Sequence, residues 1–424
     1  MRRYETIRLQ SGFIGDLDAA CARPGGAALI LVGIGRLDFV NWNLGFDGGN
    51  AVLDAVAGRL EAILPGRPIV EPWPGKFALV VEGVDAREAM HMAHRVVAQC
   101  SVPHAIGGAS LFNPPYVGVA LSEPGGDGAR LLRNALFAME DARRQILGAA
   151  QLYDPAHKTR IEYDFRIENA MRESFETGDH FRLAFQPLVS LDGTARLIGF
   201  EALARWIHPE MGAVPPDRFI PIAERSGLIQ GLGNFILWEA CRHLVEWDKI
   251  SPAPLSMSVN LSAVQLAAPG IEDAVEEAFD TTGVDPRRIK LEVTETALAS
   301  DIETVAKKLA RLRETGVSIG VDDFGAGYSS LGQLDHFGLD FMKIDKKLIQ
   351  GLDADRRRIE LVRLTIALGK HLGMELIAEG IETEAQNRIV SHLGADIGQG
   401  YLYAPPLPAA RAAEWVRAGG AAAA

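Results

Sequence analysis

Cysteine is scarce in this chain, with three in 424 residues: Cys21, Cys100 and Cys241, odd in number and far apart. That excludes a disulfide framework and a thiolate metal cluster, and it makes a reducing, cytoplasmic setting the expected one. Long apolar runs are missing too. The longest, Ala27 to Ile34, is strand-sized and far short of the roughly 20 residues of a membrane span. The opening MRRYETIRLQSGF carries charges with no apolar segment behind them, so neither a leader nor a membrane anchor is read there. Positive charge is also in deficit: 43 Lys and Arg stand against 55 Asp and Glu, a net charge of −12. A general electrostatic grip on a nucleic-acid polymer or on anionic lipid is thereby excluded, although a local basic site could still hold a phosphate. The closing GGAAAA is low in complexity and is expected to fray.

What is present is ample for folding. A hydrophobic fraction of 48% in 424 residues supports ordinary buried cores in two or three domains. AALILVG reads as a buried strand, and helical spacing of Val52, Leu53, Val56, Leu60 and Ile63 predicts a helix over Asn50 to Leu64. A strand at Phe77 to Val81, a helix at Ala86 to Ala98, the strand PYVGVAL and a helix at Ala129 to Arg144 complete a compact α/β unit. Between Asp154 and Arg166 the strand pattern lapses, which puts a boundary near Lys158 and two domains at 1–157 and 158–418.

Beyond the boundary, apolar strands alternate with helical stretches: LAFQPLV, LIGFEALARW, LSMSVNLS, RIKLEVTET, VSIGVDDFG, DFMKID, MELIAEGIE and DIGQGYLY. Eight strand-helix units in about 260 residues fit a parallel (β/α)₈ barrel of the TIM type, whose usual length is about 250 residues. Nearly every strand carries an acid, amide or lysine toward its C-terminal end: Glu201, Asn260, Glu292 with Glu295, Asp322 with Asp323, Lys343 with Asp345, Glu379 with Glu382, and Gln399. In a closed barrel these ends converge on one rim.

The densest stretch is SIGVDDFGAGYSS, where adjacent carboxylates at Asp322 and Asp323 meet a glycine-rich turn that could cover a ligand. Neighbouring acids repel unless a positive charge lies between them, and an all-oxygen donor set favours Mg²⁺ or Mn²⁺ over zinc or copper. Two such ions would activate a water for attack on a phosphodiester, with Lys343 adding a positive donor. Singly, these residues have ordinary alternatives: Glu201 with Arg205 as a strand-end ion pair, Asn260 as a helix cap, Glu382 with Thr383 as a helix start. His180, His208, His243 and Trp206 read as surface or packing residues.

Two resemblances sharpen this reading. LILVGIGRLDFVN, GFDGGNAVLDAVAGRLEAIL, EPWPGKFALVVEG and LLRNALFAMEDARRQILGAAQLYD resemble a GGDEF domain, the diguanylate cyclase fold, an α/β sandwich. It is a degenerate copy. Trp73, Pro74, Gly75, Lys76 and Phe77 stand at the signature, Gly33 replaces a metal-binding aspartate, and Leu64 and Arg67 replace the inhibitory RxxD motif. Phosphoryl transfer needs carboxylates to hold cations against the triphosphate, so cyclase activity is not expected; the roles left to it are a regulatory or dimerising module, with or without bound GTP, or a relic scaffold.

FQPLV, EALARW, FIPIAERSGLI, SVNLSAVQL, LEVTET, DDFGAGYSSL, MKID, AEGIET and GQGYLYAPP together resemble an EAL domain, the cyclic di-GMP phosphodiesterase family. The resemblance implies two ions, one held by Glu201, Asn260, Glu292 and Asp322, the other by Asp322, Asp323 and Glu379. It implies that Lys343 orients or deprotonates the attacking water, that Glu382 supports the site, and that Glu295 anchors the loop after Asp323 and links it to homodimer contacts. Gln186, Leu203, Arg205, Asp345 and Gln399 would hold the substrate, Arg205 at a phosphate, and the product would be linear pGpG. Phe185 stands where the family often has tyrosine, and Ala326 where threonine is frequent. The alternative is a receptor that binds cyclic di-GMP without cleaving it and signals through partners.

Overall fold

The computed structural model describes residues 11–420 except 36, 64, 66–68, 107–108, 124–125, 146–147, 178–179, 299–301 and 326–330. The chain forms two compact units, Met1–Phe165 and Arg166–Ala424. The division falls inside a helix that starts at Pro155 and runs to Thr177, where the sequence suggested a boundary near Lys158.

The first unit has strands β1 (Ala27–Ile34), β2 (Ile69–Trp73), β3 (Lys76–Glu82), β4 (His104–Ile106), β5 (Ala109–Leu111), β6 (Pro115–Leu121) and β7 (Ala150–Leu152). Five of them form a sheet in the order β2-β3-β1-β6-β7, and β4 with β5 form a separate hairpin. The apolar run of β1 is buried at every position because helices cover both faces of the central strand. Ile30 and Val32 pack with Val52, Val56 and Leu60 of helix α1 (Leu37–Ile63) and Ala93 and Val96 of α2 (Ala86–Cys100). Leu29 and Leu31 face Phe13, Leu17, Leu131 and Ala135 on the opposite side. Period-two alternation thus feeds two separate cores. Helix α1 is longer than its periodicity suggested, since the turns from Leu37 continue through a non-helical Gly45.

At the β2–β3 hairpin Trp73 pairs with Lys76, and Gly33 of β1 lies opposite Lys76. The turn is closed by Gly75 at φ 76°, whose amide donates to the buried Glu71 Oε1 at 3.0 Å. The ammonium of Lys76 lies over the Trp73 ring, 5.9 Å from its centroid. Leu64 and Arg67 lie outside the described residues.

The second unit is a closed eight-stranded barrel. Its strands are β8 (Phe181–Ser190), β9 (Leu197–His208), β11 (Ser256–Leu261), β12 (Ile289–Thr294), β13 (Ser318–Phe324), β14 (Phe341–Ile344), β15 (Glu375–Ala378) and β16 (Ile397–Gly398). Short β10 (Gly212–Val214) and β17 (Leu407–Pro408) attach to β9 and β8. Leu188, Phe341, Ile377 and Ile397 plug the interior on the side where the parallel strands begin.

The barrel is not wholly parallel, as the strand-helix repeat had suggested. β8 runs antiparallel to both its neighbours, β9 and β16. The reason is the connection: only Leu191 to Arg196 separate β8 from β9, whereas a crossover to a parallel strand takes a dozen residues or more. Reversal still serves the rim, because the register sets Gln186 of β8 opposite Glu201 of β9.

Candidate active site

Strand register alone places most of the rim. Asn260 stands beside Glu292, and Thr294 beside Asp322, on consecutive parallel strands. At Asp322 and Asp323 the β13–β14 register slips between Val321 and Phe324, and Asp323 takes φ 56°, a left-handed conformation tolerated best by glycine, Asn and Asp. The bulge brings both acids to the rim, where strict alternation would turn one away. The Asp323 amide donates to Asp322 Oδ1 at 2.9 Å, fixing the pair.

Lys343 is at the centre, 1% exposed. Its ammonium lies 2.6 Å from Glu379 Oε1, 2.8 Å from Glu292 Oε2, 3.2 Å from Glu201 Oε2 and 3.4 Å from Asp322 Oδ1. One cation against four carboxylates leaves a strongly negative, buried cluster, which only further positive charge or protons can settle. Glu201 is also held by amides: Asn260 Nδ2 donates to its Oε1 at 2.7 Å and Gln399 Nε2 to its Oε2 at 2.6 Å. Gln399 Nε2 also reaches Gln186 Oε1 at 3.0 Å.

The acids respond differently to this setting. Burial pushes Glu379 up to about 8, with Lys343 opposing and Asp322 and Glu201 reinforcing. Burial, a hydrogen bond with Asp345 and the charge of Asp322 raise Asp323 to about 6. Glu292 lies well above the usual carboxylate range, chiefly by burial, against the pull of Lys343. For Glu201 burial pushes upward, yet Lys343 and the donors Gln399 and Asn260 together hold it below its ordinary value. Burial would lower Lys343, but Glu201, Glu292, Glu379 and Asp322 outweigh it and keep the group an ammonium.

The donor set suits a hard divalent cation. Asp322, Asp323 and Glu379 each offer an oxygen within 4.8 Å of the others. Among the described residues, buried Glu292 Oε1 has no hydrogen-bond partner, an acceptor left free beside the cluster. Asn260 spends its amide nitrogen on Glu201, which leaves its oxygen for a cation.

The cluster opens into a cleft of about 360 Å³ lined by Gln186, Glu201, Leu203, Asn260, Asp322, Lys343, Glu379, Glu382 and Gln399. Glu382 is exposed at its edge, and its amide donates to Gln386 Oε1 at 2.8 Å. Thr383 and Gln386 form the capping box that opens the helix Glu384–Leu393. Three of the expected residues lie elsewhere. Asp345 does not line the cleft; its Oδ1 accepts from Lys347 N at 2.6 Å and starts the helix Lys346–Ile349 while its carboxyl group meets Asp323. Arg205 lines two neighbouring hollows and makes no ion pair among the described residues, with Glu201 acting on it only at longer range. Glu295, half-buried, begins a short helix with Oε2 unpartnered, and the loop it was expected to anchor, 326–330, lies outside the described residues.

Sequence reasoning passed over Lys346, Gln350 and Tyr401, which also line the cleft. Tyr401, 68% exposed, was legible as an aromatic directly after the rim residue Gln399 and its glycine. Asn260 caps no helix, since Ser262 does so for the helix Ala263–Ala267. Phe185 and Trp206 are buried packing residues: Phe185 meets Trp247 at 4.8 Å and Trp206 stacks on Phe181 at 5.5 Å. A tyrosine hydroxyl at 185 would therefore enter an aromatic core, away from the cleft.

A barrel with an acid-and-lysine rim of this pattern defines the chain as a member of the EAL domain family, whose model matches residues 168–406; the diguanylate cyclase GGDEF domain model matches 11–147. The relatives are informative. The chain is 32% identical to the cyclic di-GMP phosphodiesterase NbdA of Pseudomonas aeruginosa, over 99% of this chain and 54% of that protein. It is 33% identical to the bifunctional diguanylate cyclase/cyclic di-GMP phosphodiesterase MucR of the same organism, over 90% and 56%. The chain thus spans about half the length of these curated relatives. Among solved structures it resembles the MucR phosphodiesterase in complex with c-di-GMP, with TM-score 0.55 and 37% identity over 58% of this chain and 99% of that one. It also resembles the EAL enzyme Bd1971 in its cAMP- and cyclic-di-GMP-bound form, with TM-score 0.58 and 26% identity over 72% and 82%.

Proposed function

We propose that the second unit hydrolyses cyclic di-GMP to linear pGpG with two divalent cations, Mg²⁺ or Mn²⁺, and that the first unit is a regulatory or dimerising module without cyclase activity. The observation that carries this reading is the convergence of Glu201, Glu292, Asp322 and Glu379 on Lys343, with every expected oxygen donor present. Glu201, Asn260, Glu292 and Asp322 would hold one cation, and Asp322, Asp323 and Glu379 the other. The cations would supply Lewis acidity toward the phosphodiester and a water acidic enough to attack it.

The protein's own groups do the rest. Gln399 and Asn260 fix the Glu201 carboxylate by donating to both its oxygens. Asp345 and the Asp322 side chain hold the bulged Asp323 in place. Lys343, kept an ammonium by its neighbours, acts as a donor that orients the water and balances charge on the phosphate, rather than as the base that removes the proton. Gln186 and Leu203 border the cleft where substrate would rest.

In the first unit, the β2–β3 turn offers Lys76 and Trp73 where a cyclase would need acids. GTP binding there, without turnover, is part of the regulatory reading, as is a homodimer through the barrel. Purified protein incubated with cyclic di-GMP and Mn²⁺ should yield pGpG by chromatography, and Asp322→Ala should yield none. Absence of turnover with either metal overturns the reading; tight binding without cleavage would point to a receptor instead.

A further inference from the structure

Beyond the rim, strands β8 and β9 continue as a two-stranded ribbon. Along one face the register runs Gln186 opposite Glu201, then Ala184 opposite Leu203, then Arg182 opposite Arg205. Alternation keeps all six on the same side, so the cleft's floor leads directly to a pair of arginines. Residues directly opposed in an antiparallel pair have Cβ atoms about 5 Å apart, close enough for two long side chains to reach one anion.

Neither arginine is held in an ion pair among the described residues, although Glu201 acts on Arg205 at longer range. Arg205 Nη1 donates to the Ala204 carbonyl at 2.8 Å and Arg182 Nη1 to the Phe181 carbonyl at 3.1 Å; neither has a carboxylate within ion-pair distance among the described residues. The third arginine nearby, Arg242, is already committed to Glu239 and Glu246, at 2.7 and 2.6 Å. Arg182 and Arg205 both border a hollow of about 690 Å³, and Arg205 also borders one of about 430 Å³. The smaller hollow shares Leu203 and Asn260 with the carboxylate cleft. Two unspent guanidinium forks beside the cleft make a receptor for an anion that the carboxylate cluster itself would reject.

We infer that Arg182 pairs with Arg205 as a two-arginine clamp for the phosphate of the cyclic dinucleotide that is not being cleaved. This rests on the phosphodiesterase reading for its ligand. A cyclic dinucleotide has two phosphates: with one among the cations at Asp322, the other needs positive charge elsewhere along the same face. Arg182 is thereby a positioning residue that acts on affinity and on selection of a dinucleotide over a smaller phosphodiester.

The test uses the full chain and Arg182→Gln. Equilibrium binding of cyclic di-GMP in EDTA needs no turnover: the variant should bind about tenfold more weakly, the loss expected for one charge-assisted hydrogen bond. With Mn²⁺, KM for cyclic di-GMP should rise by a similar factor at nearly constant kcat, and selectivity for cyclic di-GMP over bis(p-nitrophenyl) phosphate should fall about tenfold. Equal affinity or equal selectivity would each overturn the clamp. A wild-type protein that binds through Arg182 yet cleaves nothing would sustain the clamp and remove the phosphodiesterase reading.

Discussion

Lys343 shows how much one residue can be asked to balance. A lysine 1% exposed is tolerable only because four carboxylates surround it, and those carboxylates are tolerable only because of the lysine. Lys343→Met should therefore cost stability as well as activity: about 3 kcal/mol in EDTA near pH 8, read by denaturant unfolding, and at least a 100-fold loss of cyclic di-GMP turnover. Added Mn²⁺ should restore part of the stability. The acids predict a pH dependence whose sign is fixed. Glu379, raised from 4.5 to about 8, and Asp323, raised from 3.8 to about 6, bind more protons folded than unfolded between those limits. Stability of the cation-free protein must then fall as pH rises from about 4 to 8, and Glu379→Gln should flatten the upper part of that slope. Cation binding should also release protons at pH 7, which calorimetry in buffers of different ionisation enthalpy would register.

Among the elements, the rim was legible and its packing was not. Strand-end acids can be read from sequence because apolar runs end where the polar residue begins; Glu201, Asn260, Asp322, Lys343, Glu379 and Gln399 reached the cleft that way, and Glu292 reached Lys343. Asp345 misled because it sits at the same kind of boundary, yet serves as a helix cap. Arg205 lay on the same face as Glu201 but four residues further along, beyond the cleft. The antiparallel β8 was hidden by apolar periodicity, which has no direction, although the six-residue connection to β9 encodes it. Close backbone approach is likewise invisible to periodicity. At Gly400, on the cleft wall, a Cβ would lie 2.1 Å from the Ile381 carbonyl oxygen. Gly400→Ala should therefore push apart the segments carrying Gln399 and Glu382, with a loss of about 2 kcal/mol or more in denaturant unfolding and reduced turnover.

For the whole chain, two units with the same signalling chemistry in their family histories carry unequal equipment. The barrel presents its full set of oxygen donors, while the β2–β3 turn of the first unit has a lysine 5.9 Å from a tryptophan ring and a glycine opposite it on β1. Cations that neutralise a triphosphate cannot be held by Lys76, whose own charge repels them. Incubating the full chain with GTP and Mg²⁺ or Mn²⁺ should consequently give no cyclic di-GMP, whatever the metal concentration, when the barrel is silenced by Asp322→Ala so that product cannot be removed. Any accumulation would mean that another constellation in the first unit performs the transfer. The same GTP, added to the unaltered chain, isolates the regulatory question: a change in pGpG formation that disappears in a barrel-only fragment assigns GTP sensing to the first unit. An unchanged rate with no measurable GTP binding would leave that unit a scaffold, since a retained fold does not by itself retain a ligand.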